Sequence, residues 1–308
     1  MTDQQLLDTQ RRLQRQHGKT PQTPAPDAAA MAASLVDMVA AKAEASAETE
    51  TEYLAEDGLL HCRICGGPRQ VEITLPFPGA QPRVVRCVCD CVKSEEAKRK
   101  ERERREAADR RRGVCFQGTG MAGWNFANDD GGRPELSNAA RRYAENFPQY
   151  LRDSKGLLLY GNVGTGKTYL AACIANAVID QGYRVIMTNF AQVANRLQST
   201  WEKQEYIDDL CKYDLLILDD LGAERKSEYM QEMVWNIIDA RYRAGGPVIV
   251  TTNLTPEELA APADIGYSRI YDRILERCLA VKVDGPSRRR QAAVQNKNNM
   301  RRQLGMEV

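Results

Sequence analysis

The segment that most constrains this chain is Gly161-Asn162-Val163-Gly164-Thr165-Gly166-Lys167-Thr168. It follows the apolar run Leu157-Leu158-Leu159-Tyr160 and opens an apolar-rich stretch that ends near Gln181. It matches G-x-x-x-x-G-K-[ST] in the strand-then-helix setting the motif requires. Glycines let backbone N–H groups converge on phosphate oxygens, and the start of the next helix adds a favourable dipole. Lys167 is expected to reach the outer phosphates and Thr168 to ligate magnesium.

Around this loop, apolar strands alternate with helical stretches. The pattern predicts strands over 157–160, 183–188, 214–218, 247–252 and 281–284. Helices are predicted over 168–181, 227–243 and 268–279, with one or two more over 191–210. Strands separated by helices of this length imply an α/β domain with a five-stranded parallel sheet covered by helices on both faces. The apolar runs are too short to cross a bilayer, so no membrane partner is expected. The N-terminus lacks the apolar stretch of a secretory signal, which points to the cytoplasm and leaves the nine cysteines to be explained by something other than disulfides.

A phosphate loop needs a metal-holding acid on a neighbouring strand. Leu215-Leu216-Ile217-Leu218-Asp219-Asp220 supplies four apolar residues ending in two carboxylates. Asp219 is expected to hold magnesium, directly or through water, and Asp220 to orient and deprotonate an attacking water. Paired acids at the end of a buried strand repel unless a cation offsets them. The strand Val248-Ile249-Val250-Thr251-Thr252 ends at Asn253. That amide is expected beside the γ-phosphate, on a strand between the two motif-bearing ones.

Four phrases discriminate among phosphate-loop families: Gly161 to Leu170, Asp219-Asp220-Leu221-Gly222-Ala223-Glu224, Thr251-Thr252-Asn253-Leu254 and Ser268-Arg269-Ile270-Tyr271-Asp272-Arg273. Together they resemble the DnaC-type helicase loaders, a branch of the AAA+ ATPases, and especially the versions of Gram-positive bacteria and their phages. The resemblance covers about residues 58–290. It implies an ATPase that works between protomers, with Asn253 as first sensor and Arg273 reaching a neighbour's γ-phosphate. A second sensor arginine is implied within Gly285-Pro286-Ser287-Arg288-Arg289; Arg289 fits, but Arg288 stands where an aromatic is usual, so the choice between the two stays open. Guanidinium groups suit charge on a transferring phosphoryl. The transposition-helper ATPases similar to IstB share these motifs and are the alternative; they usually lack a cysteine block ahead of the core.

That block is present here. Cys62-Arg63-Ile64-Cys65-Gly66-Gly67 has the spacing and trailing glycines of a zinc knuckle, and Cys87-Val88-Cys89-Asp90-Cys91 follows after 21 residues. Five thiols compete for four places in a structural zinc site that staples a mini-domain too small to fold on its own core. The family pattern, C-x-x-C and then C-x-C, favours Cys62, Cys65, Cys89 and Cys91, with Cys87 the alternate. His61 is expected to point elsewhere, and Trp124-Asn125-Phe126 resembles a short aromatic phrase packed on the ATPase core near the base.

The expected organisation is an N-terminal region (1–58), partly helical or disordered; a zinc-binding mini-domain (59–92); a charged helical connector (93–115); the AAA+ domain (116–290); and a basic tail (291–308). Within the first region Met31, Leu35, Met38 and Val39 form an apolar stripe at helical spacing. The 43 basic and 42 acidic residues nearly cancel, which excludes a uniformly basic nucleic-acid coat. The charges are nonetheless segregated. Residues 37–57 hold seven acids against one lysine, residues 93–112 ten basic against six acidic, and residues 288–302 six basic and none acidic. Segregation of this kind suits one end for protein partners and other surfaces for phosphates. The resemblance implies a loader that self-associates through its ATPase domain, holds a hexameric DnaB-like replicative helicase, and engages single-stranded DNA, with Arg196 and Lys203 as candidate contacts.

Overall fold

In a computed structural model, the structure describes residues 50–129, 131–223, 227–262 and 265–306. The Met31-to-Val39 stripe and Glu224 of the Asp-Asp-Leu-Gly-Ala-Glu phrase lie outside the described residues. The chain divides into two units, Met1–Lys100 and Glu101–Val308.

The first unit contains two small antiparallel ribbons. β1 (Glu52–Leu54) pairs with β2 (Leu60–Cys62), and β3 (Gln70–Ile73) pairs with β4 (Arg83–Arg86). Its apolar interior is little more than Leu60, Cys62 and Cys89, so side-chain burial alone contributes little and covalent or metal staples matter. Glu52 is buried and accepts from Arg69 and Arg86, each at 2.9 Å, which ties β1 to the second ribbon. Burial opposes ionisation of Glu52, yet the two guanidinium groups win and its carboxyl lies below the usual range. The expected boundary at residue 58 falls in the turn between β1 and β2; the ribbon needs residues 52–54, so the cysteine unit begins ahead of it.

Helix α1 (Asp90–Phe116) is highly charged and buries only Ala108, Cys115 and Phe116 near its end. It is a solvated helix for most of its length, as its composition predicts, and longer at both ends than the expected connector. Its last turns are held by Arg112, which donates to Asn176 Oδ1 at 2.9 Å and also pairs with Asp180. Two helices that the alternating pattern does not include follow, α2 (Pro134–Glu145) and α3 (Phe147–Asp153). Pro134 opens α2, and Ser137, Ala140 and Ala144 make its buried face at spacings of three and four.

The second unit then alternates β5 (Gly156–Tyr160), α4 (Lys167–Asp180), β6 (Val185–Asn189), α5 (Phe190–Gln198), α6 (Lys203–Cys211), β7 (Leu215–Leu221), α7 (Glu228–Ala244), β8 (Val248–Thr252), α8 (Pro256–Ala260), α9 (Ile265–Arg277), β9 (Cys278–Lys282) and α10 (Arg288–Gln303). The five strands form one sheet in the order β6-β7-β8-β5-β9, all parallel. Alternate residues serve opposite faces. Leu157, Leu159, Leu215, Ile217 and Ile249 join a core with α2, α3 and α4, while Leu158, Leu216, Leu218, Val248 and Val250 join one with α5, α6, α7 and α9. Both faces are therefore covered, which is why the strands read as continuous apolar runs.

Two differences from expectation have physical causes. The last strand comes three residues earlier than 281–284, with Cys278 paired beside Gly156, where a Cβ would meet Cys278 Sγ at 3.1 Å. On this edge strand Leu279 is 70% exposed, and an apolar residue facing solvent disguises the alternation. The basic tail is a helix from Arg288, with Ser287 Oγ accepting from Arg290 N as its cap; it lacks an apolar stripe and so carries no periodic signal.

Candidate nucleotide site

The phosphate loop leaves β5 at Gly161 and enters α4 at Lys167. Gly161, Gly164 and Gly166 have φ of 142°, 82° and 102°, a region that favours glycine. A Cβ on Gly161 would meet Val283 O at 2.4 Å, and one on Gly164 would meet Ser287 Oγ at 2.2 Å. Arg288 N donates to Gly164 O at 2.9 Å. The loop thus rests on the segment that joins β9 to α10. Arg133, a residue with no motif to mark it, donates to Thr165 O and to Asp284 O, fastening the loop to the same segment from the other side.

Lys167 is buried and its ammonium donates to Gly161 O at 2.8 Å, Asn162 O at 2.9 Å and Asn253 Oδ1 at 2.8 Å. Burial lowers its pKa, Asp220 and Asp219 act against that, and Arg289 adds to the lowering. Asn253 therefore stands beside the loop lysine, and β8 lies between β7 and β5 as its position requires.

The acids of β7 sit at an irregularity. The β7–β8 register shifts between Leu218 and Leu221, and Asp220 takes a φ of 57°, a conformation that costs a non-glycine residue about 1–2 kcal/mol. One side chain organises both acids: Thr251 Oγ donates to Asp219 Oδ1 at 2.6 Å and accepts from Asp220 N at 2.9 Å. Thr168 Oγ also donates to Asp219 Oδ1, at 3.0 Å. Burial raises the Asp219 pKa, and the nearby Asp220 charge adds to it, while Thr251, Thr168 and Lys167 oppose. Oxygens on adjacent corners of a magnesium octahedron lie about 3.0 Å apart for bonds of about 2.1 Å, so the Thr168–Asp219 pair fits one divalent cation. A cation there also offsets the cost of ionising a buried acid.

These groups open on a cavity of about 280 Å³ whose walls include Trp124, Lys167, Thr168, Asp220, Asn253 and Arg289. Trp124 packs on Tyr169 with centroids 5.6 Å apart, and Tyr169 donates to Asn125 O at 3.0 Å. The aromatic phrase thus both anchors to the core and forms one wall. Arg288 and Arg289 both line the cavity, but Arg288 is engaged with Asp129 at 3.4 Å. Among the described residues Arg289 has no ion-pair partner, so its guanidinium is the available one. Arg273 lies elsewhere: on α9 it pairs with Asp239 of α7 and stacks on Trp235 at 4.1 Å. It does not line its own chain's cavity. Arg196 is exposed on α5, and Lys203 lies over the Tyr229 ring at 5.9 Å.

In the N-terminal unit the Sγ atoms of Cys62, Cys65, Cys89 and Cys91 all lie within 4.8 Å of one another. Cys62 and Cys91 are 3.6 Å apart and Cys89 and Cys91 3.2 Å; a tetrahedral zinc with bonds of about 2.3 Å sets its sulfurs about 3.8 Å apart. Backbone N–H groups of Cys65 and Ile64 lower the Cys62 thiol to about 6, while the neighbouring Cys89 sulfur, followed by that of Cys65, pushes Cys91 up to about 12. Four soft donors in this arrangement, two of them served by backbone N–H groups, fit zinc. Cys87 is turned away and donates to Pro68 O at 3.3 Å. His61 also points outward, with its ring nitrogens 2.9 Å from Gly66 O and 3.0 Å from Asp57.

Among the described residues no helix is long and apolar enough to cross a membrane. The family described as IstB-like ATP binding protein matches residues 125–296, more than half of the chain. The replicative helicase loader DnaC of Escherichia coli (strain K12) is 27% identical over 155 residues, 49% of this chain and 61% of the loader. The replicative helicase loader DnaI of Bacillus subtilis (strain 168) is 27% identical over 148 residues, 44% of this chain and 48% of that protein. A crystal structure of the DnaI covers 58% of this chain at a TM-score of 0.49 and 26% identity. The chain spans less than two thirds of the length of these two loaders. With a phosphate loop, an acid-ended strand and a parallel sheet in the order seen here, the chain belongs to the IstB-like ATP-binding family, to which its AAA+ domain is matched.

Proposed function

We propose that this protein is an ATP-dependent loader that delivers a hexameric replicative helicase of the DnaB type to single-stranded DNA. Lys167 binds the outer phosphates, and Thr168 and Asp219 hold magnesium, which when bound neutralises phosphate charge and orients the chain of phosphates. Asp220, whose carboxylate is exposed in the cavity, orients the attacking water and accepts its proton. Asn253, already hydrogen-bonded to Lys167, reads the γ-phosphate from the other side, and Arg289 reaches it as second sensor. Arg273 completes the site of the next protomer, a role compatible with its position away from its own cavity and held by Asp239.

The observation that carries the loader reading is the cluster of Cys62, Cys65, Cys89 and Cys91 ahead of the ATPase core. A structural zinc there stabilises the small N-terminal unit as a docking module for the helicase. The second reading is a transposition helper, favoured by the description of the matched family. A pull-down of the full chain from its host with and without ATP separates the two. Recovery of a replicative helicase supports the loader, and recovery of a transposase overturns it.

A further inference from the structure

The second unit has a cavity apart from the nucleotide cavity. A groove of about 490 Å³ is bounded by Arg110, Arg111 and Val114 of α1, Arg184 and Val185 at the start of β6, and Lys212 and Tyr213 ahead of β7. These residues stand at the amino ends of β6 and β7, whereas the phosphate loop and Asp219 stand at the carboxyl ends of their strands. Four cations line the groove, with Asp209 the one acid among its lining residues. Two of the four are already engaged: Lys212 holds Asp209 at 2.7 Å, and Arg184 lies 3.6 Å from Asp214. Among the described residues Arg110 and Arg111 have no ion pair, although Arg112 next to them has two. Val114 is 53% exposed near the end of this highly charged helix, and with Tyr213 it gives the groove an apolar wall.

We propose that this groove is a binding site for single-stranded nucleic acid, with one base against Val114 and Tyr213 and the flanking phosphates on Arg110 and Arg111. Cationic rims with an apolar or aromatic wall are the means by which sequence-tolerant single-strand sites work. Consecutive helix residues diverge by about 100°, so Arg110 and Arg111 suit successive phosphates of a strand better than one compact anion. An unstacked base has an apolar face to lay on Val114; a duplex keeps its base faces stacked inside and offers only base edges and phosphates. The site shares only its ligand class with the loader reading and does not depend on ATP or a helicase.

The test is anisotropy of a labelled oligo-dT titrated with the full chain, without ATP and without any partner, at several salt concentrations. Arg110→Ala/Arg111→Ala is expected to weaken binding and to reduce the log–log salt slope by about 1.4, at about 0.7 per phosphate contact on a single strand. Arg110→Lys/Arg111→Lys is expected to keep most of the slope. Val114→Asp, on an exposed side chain, is expected to weaken binding as well. Arg102→Ala/Arg105→Ala removes the same charge from the same helix outside the groove and serves as control. An equal loss in this control, equal affinity for a blunt duplex of the same length, displacement by thymidine monophosphate at matched nucleotide concentration, or no binding by the unaltered chain overturns the proposal. A helicase missing from the pull-down leaves this result untouched, so the two readings fail separately.

Discussion

Thr251 is a test of how the acid pair is held. Its side chain is fully buried, its hydroxyl donates to Asp219 Oδ1 at 2.6 Å, and the same oxygen accepts from Asp220 N at 2.9 Å. Thr251→Val keeps the shape and removes both bonds. A hydrogen bond to an ionised acceptor contributes about 1.5–3 kcal/mol, and the part-buried Asp220 amide left without its acceptor adds a cost at the low end of about 1–3 kcal/mol. Thr168 still serves Asp219, so the combined loss is expected near 3 kcal/mol, a fall in Tm of about 6–12 °C for a unit of this size. Thr251→Ser, which retains the hydroxyl, is expected within about 1 kcal/mol of the unaltered protein. The effect also carries a pH signature. Burial raises the Asp219 pKa in the folded state, so the folded form binds that proton more tightly than the unfolded form does. The group therefore subtracts stability at neutral pH, and the deficit disappears as pH falls through the raised value. Removing the Thr251 donor lifts that value further, so the gap between Thr251→Val and the unaltered protein is expected to narrow on acidification. Urea unfolding from pH 7 down to pH 4 reads this directly. A loss below about 1 kcal/mol, or a gap that widens in acid, refutes the assignment of Thr251 as the residue that organises the acids.

The cysteine unit predicts one zinc per chain by metal analysis. Cys87→Ser is expected to retain it and Cys89→Ser to lose it together with folding of that unit, since only Cys89 belongs to the cluster; loss of zinc from Cys87→Ser would falsify the ligand set. The two tail arginines should separate. Arg288→Ala strips the cation from Asp129, whose side chain is 8% exposed, and is expected to cost about 1–3 kcal/mol in urea unfolding, whereas Arg289→Ala is expected to slow ATP turnover with stability unchanged within about 0.5 kcal/mol. The shared-site arrangement predicts that Lys167→Ala and Arg273→Ala, each inactive alone, regain part of the turnover when mixed, because a mixed interface can pair an intact loop with an intact arginine. Mixtures with no more activity than the separate variants would show that Arg273 acts within its own chain through Asp239.

The parallel sheet was legible because its strands are buried on both faces. Residues 215–218 and 248–250 read as unbroken apolar runs, and each run ends in the polar residues that line the cavity. The loop, the acid pair and Asn253, which the fold brings to one cavity, stand out in the sequence because the chemistry expected of them calls for rare local arrangements: three glycines before a lysine, two carboxylates closing an apolar run, and an amide closing another. What escaped was carried by single residues acting across long sequence separations. Arg133 joins Thr165 to Asp284, and Thr251 joins Asp219 to the Asp220 amide. Nothing near either residue in the chain announces these bonds, since an arginine before a proline and a threonine in a strand are ordinary. The edge strand escaped for a different reason, because a strand with Leu279 turned to solvent lacks the contrast on which alternation depends.

The segment after that strand shows how the two kinds of information combine. Taken alone, residues 284–290 are a turn, a glycine, a proline and three arginines, with no periodicity to assign. In the fold, Val283 O and Ser287 Oγ occupy the space that side chains on Gly161 and Gly164 would need, and Arg288 N holds Gly164 O. The glycines therefore serve two ends at once: they take the positive φ values that shape the loop and they admit the chain segment that carries Arg289. The loop and the segment that carries Arg289 are therefore joined by direct contacts, Val283 O against Gly161, Ser287 Oγ against Gly164 and Arg288 N on Gly164 O. In the proposed ATPase, Arg289 as second sensor would need no separate positioning device, since the packing that shapes the loop already brings the start of α10 to the cavity wall.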